Sequence, residues 1–419
     1  MITKFLFPSA TDEARFPSSG DACTDTSISG CASRAPNHTG ASRIFTSRLL
    51  EKWTDPVSGV ESYLLSSQRV APLQQSFYFV NPSLTHDGRY YWFYCGFPPA
   101  GNANQGRSLA VVDFHQGEIH HFPETGFSDA SPLVDPDTGE CYWCTGVEIY
   151  KRRPEPDAAP VLVNRLPDEI VRNRRPWRLA THLTFSADRK AVNLDVEIGS
   201  EWYIGHAPLN GSRFQLWQRM ERCYNHAQYS PADPDLQLIA QDSSVHPITG
   251  ESENYPNRMW LIRRGTEAKP LYPEPIGNGL DARAMHGHEW WGRDGRHVWY
   301  IHYGQGVERY SLEKKTLELV WPYDTLSHAH SNAEENCLVA DSVPSDPSKH
   351  KVLFRNLQTG CEVAIVSLLP PVDPALRRYH VHPHPQFCMN DELIAYTTTV
   401  RGVVDVAFVS VAHLLAHTS

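Results

Sequence analysis

The sequence predicts an all-β chain folded as a seven-bladed β-propeller. Three observations predict it. The chain has 419 residues, of which 41% are hydrophobic, and it carries 11 Trp, 18 Tyr and 16 Phe beside 32 Pro and 26 Gly. That composition suits many short strands joined by turns. One hairpin pattern, an anchor residue followed by strand, polar turn and strand, recurs along the chain. Four strand candidates fall in each interval of 40 to 60 residues, which is the length of a propeller blade.

The repeats run in order. The first reads NPSLTHDGRYYWFYCG from Asn81, the second SPLVDPDTGECYWCTG from Ser131, and the third HLTFSADRKAVNLDV from His182. Then come HAQYSPADPDLQLIAQ from His226 and HEWWGRDGRHVWYIHYG from His288. The last two are HSNAEENCLVADS from His330 and HPQFCMNDELIAYTTT from His384. Successive anchors lie 50, 51, 44, 62, 42 and 54 residues apart. The final repeat is short of one strand at the C-terminus. The early segment VESYLLSS, ahead of the first anchor, is expected to supply it and close the ring, removing two exposed sheet edges. Residues 1–44 read as an irregular Ser/Thr/Gly-rich leader and 45–419 as a single propeller domain.

The bulk properties exclude some roles. Net charge is −10, which opposes binding of nucleic acid by bulk charge. No apolar run approaches the roughly 18 residues that span a bilayer. Nine cysteines, with Cys23 and Cys31 in the leader, and sequons at Asn37 and Asn210 favour a secreted monomer whose signal is absent or removed, with a cytoplasmic location as the alternative. Cys141 and Cys144 form a CxxC inside a strand with no second pair, which is not a zinc knuckle.

Five of the seven anchors are histidines: His182, His226, His288, His330 and His384. Inner strands of a propeller all start at one mouth, so the ring gathers these side chains there. His286, His328, His380 and His382 precede anchors by two or four residues, and strand periodicity assigns them to the same side. His302 ends a second strand returning to that mouth. Neutral imidazole is the commonest metal ligand. The expected ligands of a divalent metal are His226, His288, His302 and His384, with His182, His330 and His382 in reserve. Glu289 and Asp242 are expected to orient them. For each histidine taken singly, packing in the channel is the simpler account; five at one repeat position is harder to explain that way. His86 sits in a hairpin turn and is assigned to the opposite mouth.

The runs HAQYSPAD, HEWWGRDGR and HPHPQF resemble the oligogalacturonate lyases, whose hallmarks include an HPxFSPDG strand opening, an HE-containing blade and a metal-binding HxH pair. The pair is present as His382 and His384, and His288 fits the HE histidine. Tyr379 stands where those lyases carry Gln. The first repeat and the spacing of His226, His288 and His302 are closer to ulvan and rhamnosyl-glucuronate lyases. The resemblance covers residues 78–412 and implies β-elimination at a uronate, with Zn²⁺, Mn²⁺ or Ca²⁺. It further implies a cation to offset the uronate carboxylate, and Tyr or His to move protons. Arg107 and Arg222 are assigned to the carboxylate. Tyr150 or His330 is assigned to proton transfer, with Tyr224 in the same RCYNH run. The expected substrate is a rhamnosyl-α-1,4-glucuronate terminus of a plant gum, then oligogalacturonate, then ulvan. A glycoside hydrolase would need paired carboxylates, which the anchors lack. A non-enzymatic binding propeller explains the repeats but not the histidines.

Overall fold

The computed structural model describes residues 40–65, 68–246, 248–253, 257–271 and 286–419. Its strands form seven antiparallel blades, as the repeat predicts. Blade 1 comprises Leu73–Gln75, Tyr90–Gly96, Arg107–Asp113 and Glu118–Phe127. Blade 2 comprises Leu133–Val134, Cys141–Thr145, Glu148–Arg152 and Val161–Arg165. Blade 3 is Ala191–Ile198, Glu201–Pro208 and Gln215–Met220, with its inner edge held by isolated bridges at Arg178 and Phe185. Blade 4 is Tyr224–Tyr229, Leu236–Gln241, Met259–Arg263 and Lys269–Pro270. Blade 5 is His286–Trp291, His297–His302, Gly306–Ser311 and Thr316–Pro322. Blade 6 is Leu326–Ser331, Cys337–Ser342, Lys351–Asn356 and Glu362–Val366.

Blade 7 joins the two ends of the chain. Gln386–Cys388, Leu393–Thr398 and Asp405–Ser410 are followed across the sheet by Glu61–Leu64, then Glu51–Thr54. Tyr63 lies opposite Phe408 in that closure. The expected closing strand is therefore present, and a fifth strand covers it. The helix Gly40–Phe45, at the end of the stretch read from the sequence as leader, buries Ala41 and Ile44 against blades 1 and 7. Cys23, Cys31 and Asn37 lie outside the described residues. The seven described cysteines are free thiols, and Asn210 is exposed in a turn.

Apolar side chains from facing sheets interdigitate between neighbouring blades, because no single blade can bury its own faces. Trp290 and Trp299 stack at 5.8 Å in blade 5, and Trp290 Nε1 donates to Ser331 Oγ of blade 6 at 3.0 Å. Trp291 faces the other way and donates to the Gln228 carbonyl of blade 4 at 3.2 Å. Such indole contacts tie blades together through a large apolar surface and one satisfied polar atom.

Three inner strands carry a β-bulge at the anchor. The ladder slips between Asn225 and Gln228, Gly287 and Trp290, and Leu326 and Ala329. His226, His288 and His384 sit at φ of 52°, 53° and 42°, a region costly to residues with a Cβ. A bulge re-aims the side chain that it carries. Here it sets which imidazoles meet.

Candidate functional site

The anchor histidines meet around one aromatic ring. Tyr78 stands on the axis, three residues before anchor Asn81. Its ring lies 4.6 Å from His182, 6.3 Å from His226, 6.5 Å from His288, 5.9 Å from His328 and 5.0 Å from His384. Five blades thus contribute a histidine to one layer, as the repeat requires, except that blade 6 contributes His328 and not His330. The register shows why. In blade 5 Trp291 pairs with Val298, and in blade 6 Ser331 pairs with Leu338, so His328 occupies the position of His288. The run HAH offers two histidines two residues apart, and the sequence pattern took the second.

Four imidazoles converge at the anchor mouth. One donor atom from each of His328, His380, His382 and His384 lies within 4.8 Å of the others. Burial is graded: His328 and His384 are buried, His382 is half-buried and His380 is exposed. Asp341 fixes the deepest member. His328 Nδ1 donates to Asp341 Oδ2 at 2.9 Å, which leaves Nε2 as the lone-pair nitrogen. That Nε2, His384 Nε2 and His382 Nδ1 are buried and have no hydrogen-bond partner among the described residues. Desolvation, then neighbouring imidazoles, push His328 and His384 well below the ordinary histidine value, and His382 down to about 3. All three are neutral at pH 7. Orphaned, neutral and convergent nitrogens fit a divalent cation, and imidazole suits Zn²⁺ better than it suits Ca²⁺.

The expected ligand quartet is divided among three places. His384 joins the cluster. His288 stands beside it, its ring 3.9 Å from that of His328, with Nδ1 held by the Ser327 carbonyl and by the Tyr303 hydroxyl at 3.0 Å. His226 Nδ1 pairs with His182 Nε2 at 3.0 Å. His302 pairs with Glu308 in blade 5. His286 lies with His302 and not with His288, because the bulge after Gly287 interrupts the two-residue alternation. Reserve residue His382 is in the cluster. His380, read from the sequence as sharing that side but not as a ligand, completes it, and three alternating histidines were the signal. Tyr379 is buried, and its hydroxyl donates to the Ala100 carbonyl at 2.5 Å, bracing the loop before Arg107.

Of the expected catalytic residues only Arg107 comes near this cluster, where desolvation, then His288, then the Arg107 charge lower His380. Arg107 is buried, stacked over Tyr94, with its guanidinium donating to the carbonyls of Ala103 and Asp129. These bonds hold the loop. Tyr150 is on the third strand of blade 2, two strands from the axis, and donates to Glu148 at 2.5 Å. Exposed Arg222 and buried Tyr224 line a groove between blades 3 and 4, and Tyr224 packs against Trp260. Both lie at that groove and not in the histidine layer. His330 accepts the Phe387 amide proton at 3.0 Å and lines a cavity of about 370 Å³ at the opposite mouth, where His86 also lies, as expected. Glu289 and Asp242 face Arg258 and not the imidazoles, at 3.5 Å and 3.4 Å.

Oligogalacturonate lyases share this fold. One solved in complex with manganese has a TM-score of 0.65 at 15% identity, covering 86% of this chain and 96% of its own. Another, from Vibrio parahaemolyticus, has a TM-score of 0.69 at 16% identity with the same coverage. No family model matches the sequence, and no curated protein matches it.

Proposed function

We propose that the chain is a metal-dependent lyase that cleaves a uronate-containing glycan by β-elimination. The observation that carries this reading is the cluster of His328, His380, His382 and His384, four neutral donors at one mouth of a propeller also found in a manganese-bound oligogalacturonate lyase. A bound divalent cation would supply charge to offset the uronate carboxylate, making the C5 proton removable.

The chain's own residues would do the rest. His380, exposed at the rim, is the first imidazole that a substrate meets. Tyr303 and His288, joined at 3.0 Å beside the cluster, form the pair best placed to move a proton. Desolvation pushes His288 down to about 4, so it is neutral at pH 7; Nδ1–H is directed at the Ser327 carbonyl and the Tyr303 oxygen, and Nε2 is its acceptor nitrogen. In this reading they replace Tyr150 and His330. Elimination breaks the C4–O4 bond, returns a proton to O4 and leaves a 4,5-unsaturated uronate. The preferred substrate is a rhamnosyl-α-1,4-glucuronate terminus, with oligogalacturonate second and ulvan third.

The test is ultraviolet absorbance of the unsaturated uronate with gum arabic, oligogalacturonate and ulvan, each with Mn²⁺ or Zn²⁺ supplied. A rise with one glycan names the substrate. No rise with any of them would refute the lyase and favour a binding propeller.

A further inference from the structure

Blade 5 contains a second convergence of donors, separate from the channel cluster. His286, His302 and Glu308 come from three successive strands, and a donor atom from each lies within 4.8 Å of the others. His286 is directly opposite His302 in the ladder, and Glu308 reaches them diagonally from the third strand. His302 Nδ1 lies 2.9 Å from Glu308 Oε1. The hydroxyl of Tyr300, opposite Glu308 in the ladder, is a second partner of that carboxylate. His286 is 4% exposed and Glu308 7%, yet His286 Nε2 has no hydrogen-bond partner among the described residues. A buried imidazole nitrogen left open beside a buried carboxylate, on strands whose register shifts after Gly287 and at Glu308, calls for an occupant.

Two imidazoles and one carboxylate, with room for a solvent ligand, make the donor set of a tetrahedral cation site. We infer that blade 5 binds a second divalent cation, of the Zn²⁺ class, through His286, His302 and Glu308. The first three strands of the blade would then be pinned at the mouth by one ion. The chain continues from His302 to Tyr303, whose hydroxyl holds His288. The second cation therefore positions the Tyr303–His288 pair without contacting the channel cluster. The site itself does not depend on the lyase reading.

The full-length chain, stripped with chelator and desalted, is titrated with Zn²⁺, and bound metal is counted by mass spectrometry. Co²⁺ supplies a visible spectrum as a second readout. The wild type is expected to bind one equivalent at each site. Glu308→Gln and His286→Asn each lose one equivalent, and His382→Asn loses the other. X-ray absorption on the Zn²⁺-loaded His382→Asn chain is expected to show two imidazoles and one carboxylate, which tests the site even if the blade 5 variants fold poorly. Wild-type stoichiometry in folded Glu308→Gln and His286→Asn, or no metal in His382→Asn, overturns the inference and leaves the channel site standing. Loss with Glu308→Gln but none with His382→Asn supports the inference and removes the metal from the channel.

Discussion

Asp341 receives both the Nδ1 proton and the backbone amide of His328, at 2.9 Å and 2.8 Å, inside a site where neither side chain reaches solvent. The carboxylate thereby selects the tautomer that leaves Nε2 open toward His380, His382 and His384. Asp341→Asn keeps the shape but weakens the acceptor. We expect metal affinity in the channel to fall about 10–100-fold, the usual cost of losing a carboxylate partner to a ligating histidine. Calorimetric titration with Mn²⁺ and Zn²⁺ measures it. An unchanged affinity would mean that His328 is not a ligand.

The buried histidines outside the cluster set an acid limit on stability. Desolvation, then the Arg178 charge, push His182 down to about 3, and desolvation pushes His330 down to about 4. In the unfolded chain both titrate near about 6.5. Below that value the unfolded chain binds more protons, so acid draws the equilibrium toward it. Stability is full above about pH 6.5 and falls continuously toward about pH 4. Urea midpoints measured across that interval should decline, and a flat profile would contradict the buried neutral state.

Tyr78 fills the axis with a ring and leaves its hydroxyl buried without a hydrogen-bond partner among the described residues. Tyr78→Phe retains the packing and removes an unsatisfied group, so the unfolding free energy should hold or rise. Tyr78→Ala opens a cavity among five imidazoles and should cost about 3–5 kcal/mol, the range for deleting a core aromatic ring. Denaturant unfolding distinguishes the two. Equal losses would show that the hydroxyl has a structural partner.

Gly287 is the residue that admits Tyr303. A Cβ there would stand 2.6 Å from the Tyr303 hydroxyl and 3.2 Å from the ring carbon bearing it. Gly287→Ala should move the hydroxyl away from His288 with the fold intact. On the proposed mechanism kcat falls about 100-fold, a typical penalty for displacing a catalytic group by an ångström. Steady-state kinetics with a thermal melt as control test it. Full activity in a folded Gly287→Ala chain would remove Tyr303 from the reaction.

The repeat was legible because blades are copies. Each of them needs an apolar inner strand, a polar turn and a second strand, and that requirement is local. Six of seven anchors, the blade count and the closing strand Glu61–Leu64 followed from it. So did the assignment of His86 to the mouth opposite four of the five anchor histidines; His330 instead lies on the His86 side.

What the sequence by itself determined is the propeller and the layer of histidines that it brings to one mouth. Only the tertiary structure decided which of them share a point. Strand alternation predicts faces, but bulges at His226, His288 and His328 break the alternation where it matters. They send His286 to Glu308 and leave His226 to His182. Arg107 likewise reads as a free loop cation until the carbonyls that it holds are seen. Periodicity is a property of one strand, whereas a ligand set is a set of distances between blades. Those distances are fixed by packing across the axis, which no local pattern encodes.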